Sequence, residues 1–124
     1  MATNPIPTEI KLNKKERMLE LSFEDGQKFE LSCEYLRVNS PSAEVQGHGP
    51  GEGVLQIGKE NVGIDGIEAV GSYAILLRFD DGHDTGIYAW DTLYNLGANK
   101  EAIWADYLEK LAAAGHKRRE PTTL

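Results

Sequence analysis

The sequence has few of the residues and motifs that identify common classes of protein. It has one cysteine, Cys33, so no disulfide forms within the chain and a reducing compartment is expected. No apolar run approaches the ~20 residues that cross a bilayer, and the first ten residues, MATNPIPTEI, contain no apolar signal core. Lysine and arginine number 13 against 20 acidic residues, which leaves a net charge of −7. We therefore expect a cytoplasmic protein that binds neither nucleic acid, which requires a basic surface, nor a membrane.

Motifs of catalysis and phosphate binding are also missing. The glycine-rich loop Gly47–Gly53 has no G-x-G-x-x-G frame, no following Lys-Ser/Thr pair, and leads to a predicted strand rather than a helix. A calcium loop that started at Asp81 would place Thr92 where a bidentate glutamate belongs. Cys33 has no Cys-x-x-Cys partner, and strand alternation turns it inward, which favours a buried structural thiol. We expect a protein that is not an enzyme.

Hydrophobic residues still make up 40% of the 124 positions, enough to bury the core of one domain. Residues Met18–Phe23 alternate between apolar and polar side chains, as a half-buried strand does. Residues Tyr73–Phe79 form a nearly continuous apolar run, which is typical of a central strand, and Val54–Ile57 are predicted as a further strand. Short helices are predicted at Cys33–Val38 and Trp90–Leu96. The predicted fold is α+β: a small, mainly antiparallel β domain with short helices.

The C-terminal third has the period of an amphipathic helix over Asn99–Ala114, with Asn99 as the predicted N-cap and Gly115 as the stop. One face carries apolar side chains, which we expect to pack on the sheet as core. These are Ile103, Trp104, Tyr107, Leu108, Leu111 and Ala112. We predict a domain over residues 8–116, with a flexible arm at 1–7 and a flexible tail at 117–124.

Two segments of the chain resemble each other. Residues 21–36, LSFEDGQKFELSCEYL, align with residues 77–93, LRFDDGHDTGIYAWDTL, if Leu31 matches Ile87 and one inserted residue follows. Each segment reads as strand, Asp-Gly turn, strand and helical turn. The similarity is either an internal repeat or a chance likeness of two hairpins. In either case the first hairpin has Gln27 where the second has His83, so this turn does not require a histidine.

Two histidines in polar loops are the candidate metal ligands. His48 lies in QGHGPG and His83 in DDGHDTG, where Asp81 and Asp84 are neighbouring carboxylates. Such a set is able to ligate iron, manganese or zinc, whereas the alternative reading makes both histidines solvated loop residues. Arg37, Asp81 and Asp84 are further candidate binding residues.

Three segments together resemble the gamma-butyrobetaine hydroxylase-like N-terminal domain family, whose bacterial stand-alone members are known as a domain of unknown function. They are YLRVNSPSAEVQGHGPG, VGIDGIEAVGSYAILLRF and DDGHDTGIYAWDTLY, which occur in the family's order within a match over residues 8–112. The resemblance implies a compact, mainly β domain. In the eukaryotic carnitine-synthesis hydroxylases this domain precedes the catalytic domain, and a similar domain is attached to a plastid iron–sulfur scaffold ATPase.

The resemblance also implies which positions held metal. In the eukaryotic hydroxylases three cysteines and one histidine hold a structural zinc, and the cysteines correspond to Ser40, Ser42 and Val45 while the histidine corresponds to His83. One ligand of four survives, so a Cys₃His zinc site is not expected. The remaining oxygen-rich set would favour a weakly bound divalent metal, iron or manganese, with His48 as a further ligand. We expect His83 at an exposed functional edge near the Gly47–Gly53 loop.

These observations predict a non-catalytic accessory module that binds a protein partner, in the context of metal or iron–sulfur metabolism that the resemblance suggests, with an altered or vestigial metal site. The alternative is a small metal-dependent enzyme that uses His48, His83 and either Asp81 or Asp84.

Overall fold

The computed structural model describes residues 5–46 and 53–118. These residues form two antiparallel sheets of three strands each, and helices follow both sheets. The first half contains β1 (Pro7–Asn13), β2 (Met18–Phe23), β3 (Lys28–Ser32), α1 (Cys33–Val38) and α2 (Ala43–Gln46). The second half contains β4 (Ile64–Val70), β5 (Ala74–Phe79), β6 (Gly86–Ala89), α3 (Trp90–Ala98) and α4 (Lys100–Ala113). The predicted α+β class is confirmed.

One apolar core joins the two sheets. Alternate residues of the central strands β2 and β5 point into it, since side chains along a strand alternate between its two faces. Its members include Leu19, Leu21, Phe23, Leu31, Leu36, Ile75, Leu77, Phe79, Tyr88 and Leu93. Within the two described ranges, no helix has the length and apolar character that a membrane span requires.

Two of the three predicted strands are present in the structure. The predicted strands at Met18–Phe23 and Tyr73–Phe79 are confirmed as β2 and β5, and each is the central strand of its sheet. The predicted strand Val54–Ile57 is wrong, since this segment has no regular structure. The carbonyl oxygen of Gln56 accepts a hydrogen bond from the Tyr107 hydroxyl (2.7 Å). Strand β4 was not predicted because its pairing with β5 shifts register at Gly66, which interrupts the alternation.

The C-terminal helix buries a narrower stripe than predicted. In α4, Tyr107 and Leu111 are buried and Ile103 and Trp104 are partly buried. Leu108 is 38% exposed and Ala112 is exposed as well, so their predicted place in the core is wrong. Tyr107 and Leu111 pack against Val38 at the end of α1, and Ile103 and Trp104 pack against the main core.

Asn99 occupies the helix boundary without capping it. It is at once the C-cap of α3 and the residue that precedes α4, and its backbone is not extended (φ −112°, ψ 24°). A capping residue typically has an extended backbone, and the Asn99 side chain makes no capping bond to α4. The Asn99 amide instead donates to Oδ1 of Asn95 (2.7 Å), so the predicted side-chain cap is wrong although the helix boundary is right.

The two halves of the described chain repeat the same backbone plan. Gly26 and Gly82 have nearly equal φ angles of 90° and 91° at the two Asp-Gly turns. Phe23 and Phe79 precede the two turns, and they pair with Pro7 and Ile64 in the outer strands. The register of each outer strand shifts directly after that pair, between Pro7 and Glu9 and between Ile64 and Gly66. Three backbone hydrogen bonds of the first half have equivalents in the second half. In the first half they run from Phe23 N to Gln27 O, from Glu24 N to Ile6 O and from Cys33 N to Arg17 O. In the second half they run, in the same order, from Phe79 N to His83 O, from Asp80 N to Gly63 O and from Trp90 N to Tyr73 O.

This repeat corrects the alignment expected from sequence. In the first sheet Leu19 pairs with Leu31, and in the second Ile75 pairs with Tyr88. Leu31 is therefore equivalent to Tyr88, with both side chains buried, and not to Ile87, which is 48% exposed. The inserted residue lies between His83 and β6, earlier than expected, where a turn accommodates it without disturbing a strand pair.

Candidate functional site

His83 and Ser40 form a buried hydrogen-bonded pair between two distant segments. The Ser40 hydroxyl lies 2.9 Å from Nε2 of His83. Ser40 is fully buried and His83 is 5% exposed, and the imidazole lies against the ring of Phe79 (5.9 Å between centroids). The expectation of an exposed His83 is wrong, because the segment after α1 covers the second hairpin.

The turn itself explains the backbone position of His83 but not its burial. The backbone N–H of His83 donates to Oδ1 of Asp81 (3.2 Å), and its carbonyl accepts from Phe79 N (2.9 Å). Gln27 makes the same two bonds in the first hairpin, with Asp25 and Phe23, but its side chain is exposed. His83 is buried and Gln27 is not because the segment that contains Ser40 packs on the second hairpin.

Gly86 allows this close approach. A Cβ atom on Gly86 would lie 2.6 Å from the Ser40 hydroxyl oxygen, closer than real Cβ contacts come, so only glycine leaves room for Ser40 against β6. The same two segments make a second contact, in which the hydroxyl oxygens of Ser42 and Thr85 lie 2.8 Å apart. Ser40, Ser42, Thr85 and His83 are called the Ser40–His83 cluster below.

A second group of bonds ties the hairpin to α1 and to the segment before β4. Nε of Arg37 donates to Oδ2 of Asp81 (2.9 Å), and Nζ of Lys59 donates to the same oxygen (2.7 Å). Nη1 of Arg37 also donates to Oε1 of Gln56 (3.0 Å). Burial raises the pKa of Asp81, but the bonds from Lys59 and from the His83 N–H and the Arg37 charge outweigh it, so the pKa lies below its usual value. Asp81 is thus held as a carboxylate inside an ion-pair network.

The residues predicted as a site are thus partly brought together. Ser40, Ser42 and His83 meet as the resemblance implied, and Val45 is buried. Arg37 is also buried, which leaves it as a link to Asp81 rather than a surface group. Asp84 is exposed, and His48 lies outside the described residues.

The donor set does not fit a zinc ion. Ser40, Ser42 and Val45, which the resemblance matches to three cysteines, offer no thiolate. Valine has no donor atom, and the Ser40 oxygen already bonds to His83. Over residues 5–46 and 53–118, no three His, Cys, Asp or Glu side chains form a group able to hold a metal ion. Cys33, the one thiol, is buried in the core, which raises its pKa to about 11 and keeps it protonated.

A third cluster was missed by the sequence reasoning. Glu34 in the first turn of α1 is 4% exposed, and Arg118 donates to both of its carboxylate oxygens, from Nε (2.8 and 3.0 Å) and Nη2 (2.5 Å). The guanidinium carbon also lies 5.4 Å from the ring centroid of Trp104. The basic run after Gly115 was the available signal, but nothing local indicates an acidic partner 84 residues away.

Comparisons with known proteins agree with this fold. An NMR solution structure shares 50% identity with the chain, covers 99% of it and 92% of its own length, and superposes with a TM-score of 0.82. A second NMR solution structure shares 51% identity over 97% of this chain and 94% of its own, with a TM-score of 0.80. No curated protein matches the chain.

A third structure adds a family name. It is the 1.93 Å crystal structure of a protein of unknown function of the DUF971 family from Acidithiobacillus ferrooxidans ATCC 23270. It is 37% identical, covers 74% of this chain and 92% of its own, and has a TM-score of 0.62. Residues 10–94 match the family described as gamma-butyrobetaine hydroxylase-like, N-terminal. The chain therefore belongs to the gamma-butyrobetaine hydroxylase-like, N-terminal family.

Proposed function

We propose that this chain is a non-catalytic accessory module that binds a protein partner, and that its former metal-ligand positions have become a structural hydrogen-bonded cluster. The observation that carries the proposal is the buried contact of 2.9 Å between Ser40 and His83. It links the two segments that a metal joins in the hydroxylases that the chain resembles. A hydrogen bond between two buried groups holds such segments together without an ion.

The groups that an enzyme would use are occupied by structural contacts. A metal-dependent enzyme built on His83 and Asp81 would require the imidazole to leave Ser40 and the carboxylate to leave Arg37 and Lys59. Each change would break hydrogen bonds between buried or partly buried polar groups, at a cost of about 1–3 kcal/mol. These contacts favour a supporting role for the cluster.

The charge of the chain favours a protein as the partner. The net charge of −7 disfavours a phosphate backbone, and the single buried thiol suits a reducing cytoplasm. A context in metal or iron–sulfur metabolism is supported by the resemblance described for the eukaryotic and plastid proteins. The proposal assigns the module to binding within such a system and assigns the chemistry to its partner.

Metal analysis tests the structural role of the cluster. The chain would be purified without a metal-affinity tag, analysed for iron, manganese and zinc, and titrated with Mn²⁺ while amide relaxation is followed. We expect far less than one metal per chain and weak, uniform broadening over the acidic surface, equal in the wild type and in His83→Ala. Stoichiometric metal, or broadening that is centred on His83 and lost in His83→Ala, would contradict the proposal.

Co-purification tests the binding role. The tagged chain would be passed through native extract, and proteins that elute with it would be quantified with and without EDTA. We expect one partner in stoichiometric amount that EDTA does not release. Turnover of a small substrate by the isolated chain, with no partner, would favour the enzyme instead.

A further inference from the structure

A cavity of about 750 Å³ opens between the first sheet, α1 and α4. Its lining includes Ser32, Glu34, Tyr35, Val62 and Trp104, and Arg118 closes part of it. Arg118 is part of the lining, so the space beside its guanidinium is open to solvent.

The carboxylate of Glu34 makes this cavity selective for a cation. It is almost fully buried, and a buried carboxylate needs a paired charge and hydrogen bonds to remain ionised. Arg118 supplies both through a planar, two-pronged contact with the two carboxylate oxygens. This geometry suits guanidinium, whose rigid planar fork matches the two carboxylate oxygens, whereas an ammonium group is a compact point charge without such a fork.

Aromatic rings complete the recognition of guanidinium. Arg118 lies over the ring of Trp104, which itself packs edge-on against Tyr35 (6.1 Å between centroids) and tilted against Tyr107 (5.2 Å). A guanidinium group stacks on such a face and also bonds to a carboxylate in its own plane. Glu34 and Trp104 together form a site for an arginine side chain, called the arginine pocket below.

The present occupant comes from a segment that is joined to the domain by a turn. Gly115 (φ 81°) ends α4, with Gly115 N bonded to Ala112 O (3.0 Å) and His116 N bonded to Leu111 O (2.9 Å). This pair of bonds reverses the chain after the helix and directs residues 116–118 back to α1. Arg118 keeps 22% of its side chain exposed and lies beyond the last helical residue, so it is able to leave without unfolding α4.

The cavity without Arg118 would attract a basic segment. Five of its lining side chains are carboxylates, from Glu16, Glu30, Glu34, Glu60 and Glu101. Three other lining residues are lysine or arginine, so removal of Arg118 leaves an excess of negative charge. Such an excess raises the local concentration of a cationic partner and speeds its association.

We propose that the arginine pocket is the recognition site for an arginine-containing segment of the protein partner, and that Arg118 of this chain competes for it. The proposal rests on the proposed function, because it names the surface and chemistry of the binding module. Arg118 is present at a high effective concentration through its short tether, so it lowers the apparent affinity of any external arginine. Partner binding therefore releases the C-terminal segment.

A peptide titration tests the pocket. The probe is the capped peptide HKRRE, which has the sequence of residues 116–120, and its control is HKKKE with equal charge. Arg118→Ala with Arg119→Ala opens the pocket and prevents the neighbouring arginine from replacing the first. We expect this double variant to bind HKRRE about 10-fold more tightly than the wild type does, with shifts at the Trp104 indole and Glu34 amide, and to bind HKKKE clearly more weakly.

Variants of the site and of a matched surface pair separate recognition from charge. Glu34→Gln in the opened chain should weaken HKRRE binding by about 10-fold or more, and Trp104→Leu provides a second test if that variant does not fold. Arg78→Ala is the matched control, since Arg78 pairs with Glu68 on the exposed face of the second sheet. It removes one positive charge far from the pocket, half of the charge that the opened variant loses, and should leave peptide affinity at the wild-type value.

Each outcome bears on one of the two proposals. Equal binding of HKRRE and HKKKE, or equal binding by the wild type and the opened variant, would overturn the arginine pocket. A co-purified partner that binds Glu34→Gln as well as wild type would also overturn it while leaving the binding module intact. Stoichiometric metal and isolated turnover would instead contradict the module, whatever the peptide does.

Discussion

Replacement of Ser40 by alanine should expose how much the Ser40–His83 cluster contributes to stability. The substitution removes the hydroxyl that bonds to Nε2 of His83 at 2.9 Å, in a place where Ser40 is fully buried. A buried polar group that loses its partner costs about 1–3 kcal/mol. The same hydroxyl accepts a longer bond from the N–H of Ser42 (3.3 Å), which places the expected loss in the upper half of that range.

A double-mutant cycle assigns this loss to the pair. Ser40→Ala, His83→Ala and the double variant would be unfolded in urea, with tryptophan fluorescence as the signal and the slope compared among variants to check two-state behaviour. If the two side chains depend on each other, the double variant should be more stable than the summed single losses predict, by about 0.5–3 kcal/mol. The cycle uses free energies of unfolding at one temperature.

The equivalent turn of the first hairpin provides the control. Gln27→Ala changes a residue with the same backbone bonds as His83 but an exposed side chain, so its effect should stay within about 0.5 kcal/mol. A coupling free energy below about 0.3 kcal/mol between Ser40 and His83 would refute the reasoning. A loss for Gln27→Ala as large as that for His83→Ala would show instead that the turn itself demands its residue.

Three further outcomes follow from the packing. Leu111→Ala should lower the free energy of unfolding by about 2–5 kcal/mol, because its side chain is buried. Leu108→Ala should lower it by at most about 1 kcal/mol, because its side chain is 38% exposed. Equal losses in urea unfolding would place both side chains on one buried face. Burial raises the pKa of Cys33 to about 11, so at pH 9 the folded thiol should stay protonated and should react with iodoacetamide far more slowly than in urea. The folded state favours the protonated thiol, and the stability that this preference contributes should be present below pH 9 and lost as pH rises towards 11. Gly86→Ala should cost about 1–3 kcal/mol because its Cβ would meet the Ser40 hydroxyl, and a wild-type melting temperature would show that the segment moves away freely.

The internal repeat shows how one plan supports two surfaces. Glu20 and Glu30 pair on the outer face of the first sheet, where Leu76 and Ile87 pair in the second. The inward residues of both central strands are apolar, because both face the common core. The likeness of two hairpins in the sequence is therefore a likeness of two structural halves, while their outer faces differ.

The arrangement of strands and turns was largely determined by the sequence itself. Alternation along Met18–Phe23 and the Asp-Gly turns predicted the hairpins, because side-chain alternation and positive φ at glycine are local properties. Local rules also predicted the end of α4 at Gly115. They failed at Gly66, where a bulge breaks alternation, and at Leu108, because helical period marks an apolar face but not how much of it is covered.

The tertiary structure alone decided what the functional candidates contact. Residue order placed His83 in a polar turn, and only the packing of the Ser40 segment over Gly86 buried it. Glu34 and Arg118 are 84 residues apart, and each alone reads as a charged surface residue. Their pairing depends on the reversal of the chain after α4 and on the distance between two helices, and such distances arise from the packing of the whole core rather than from any local pattern.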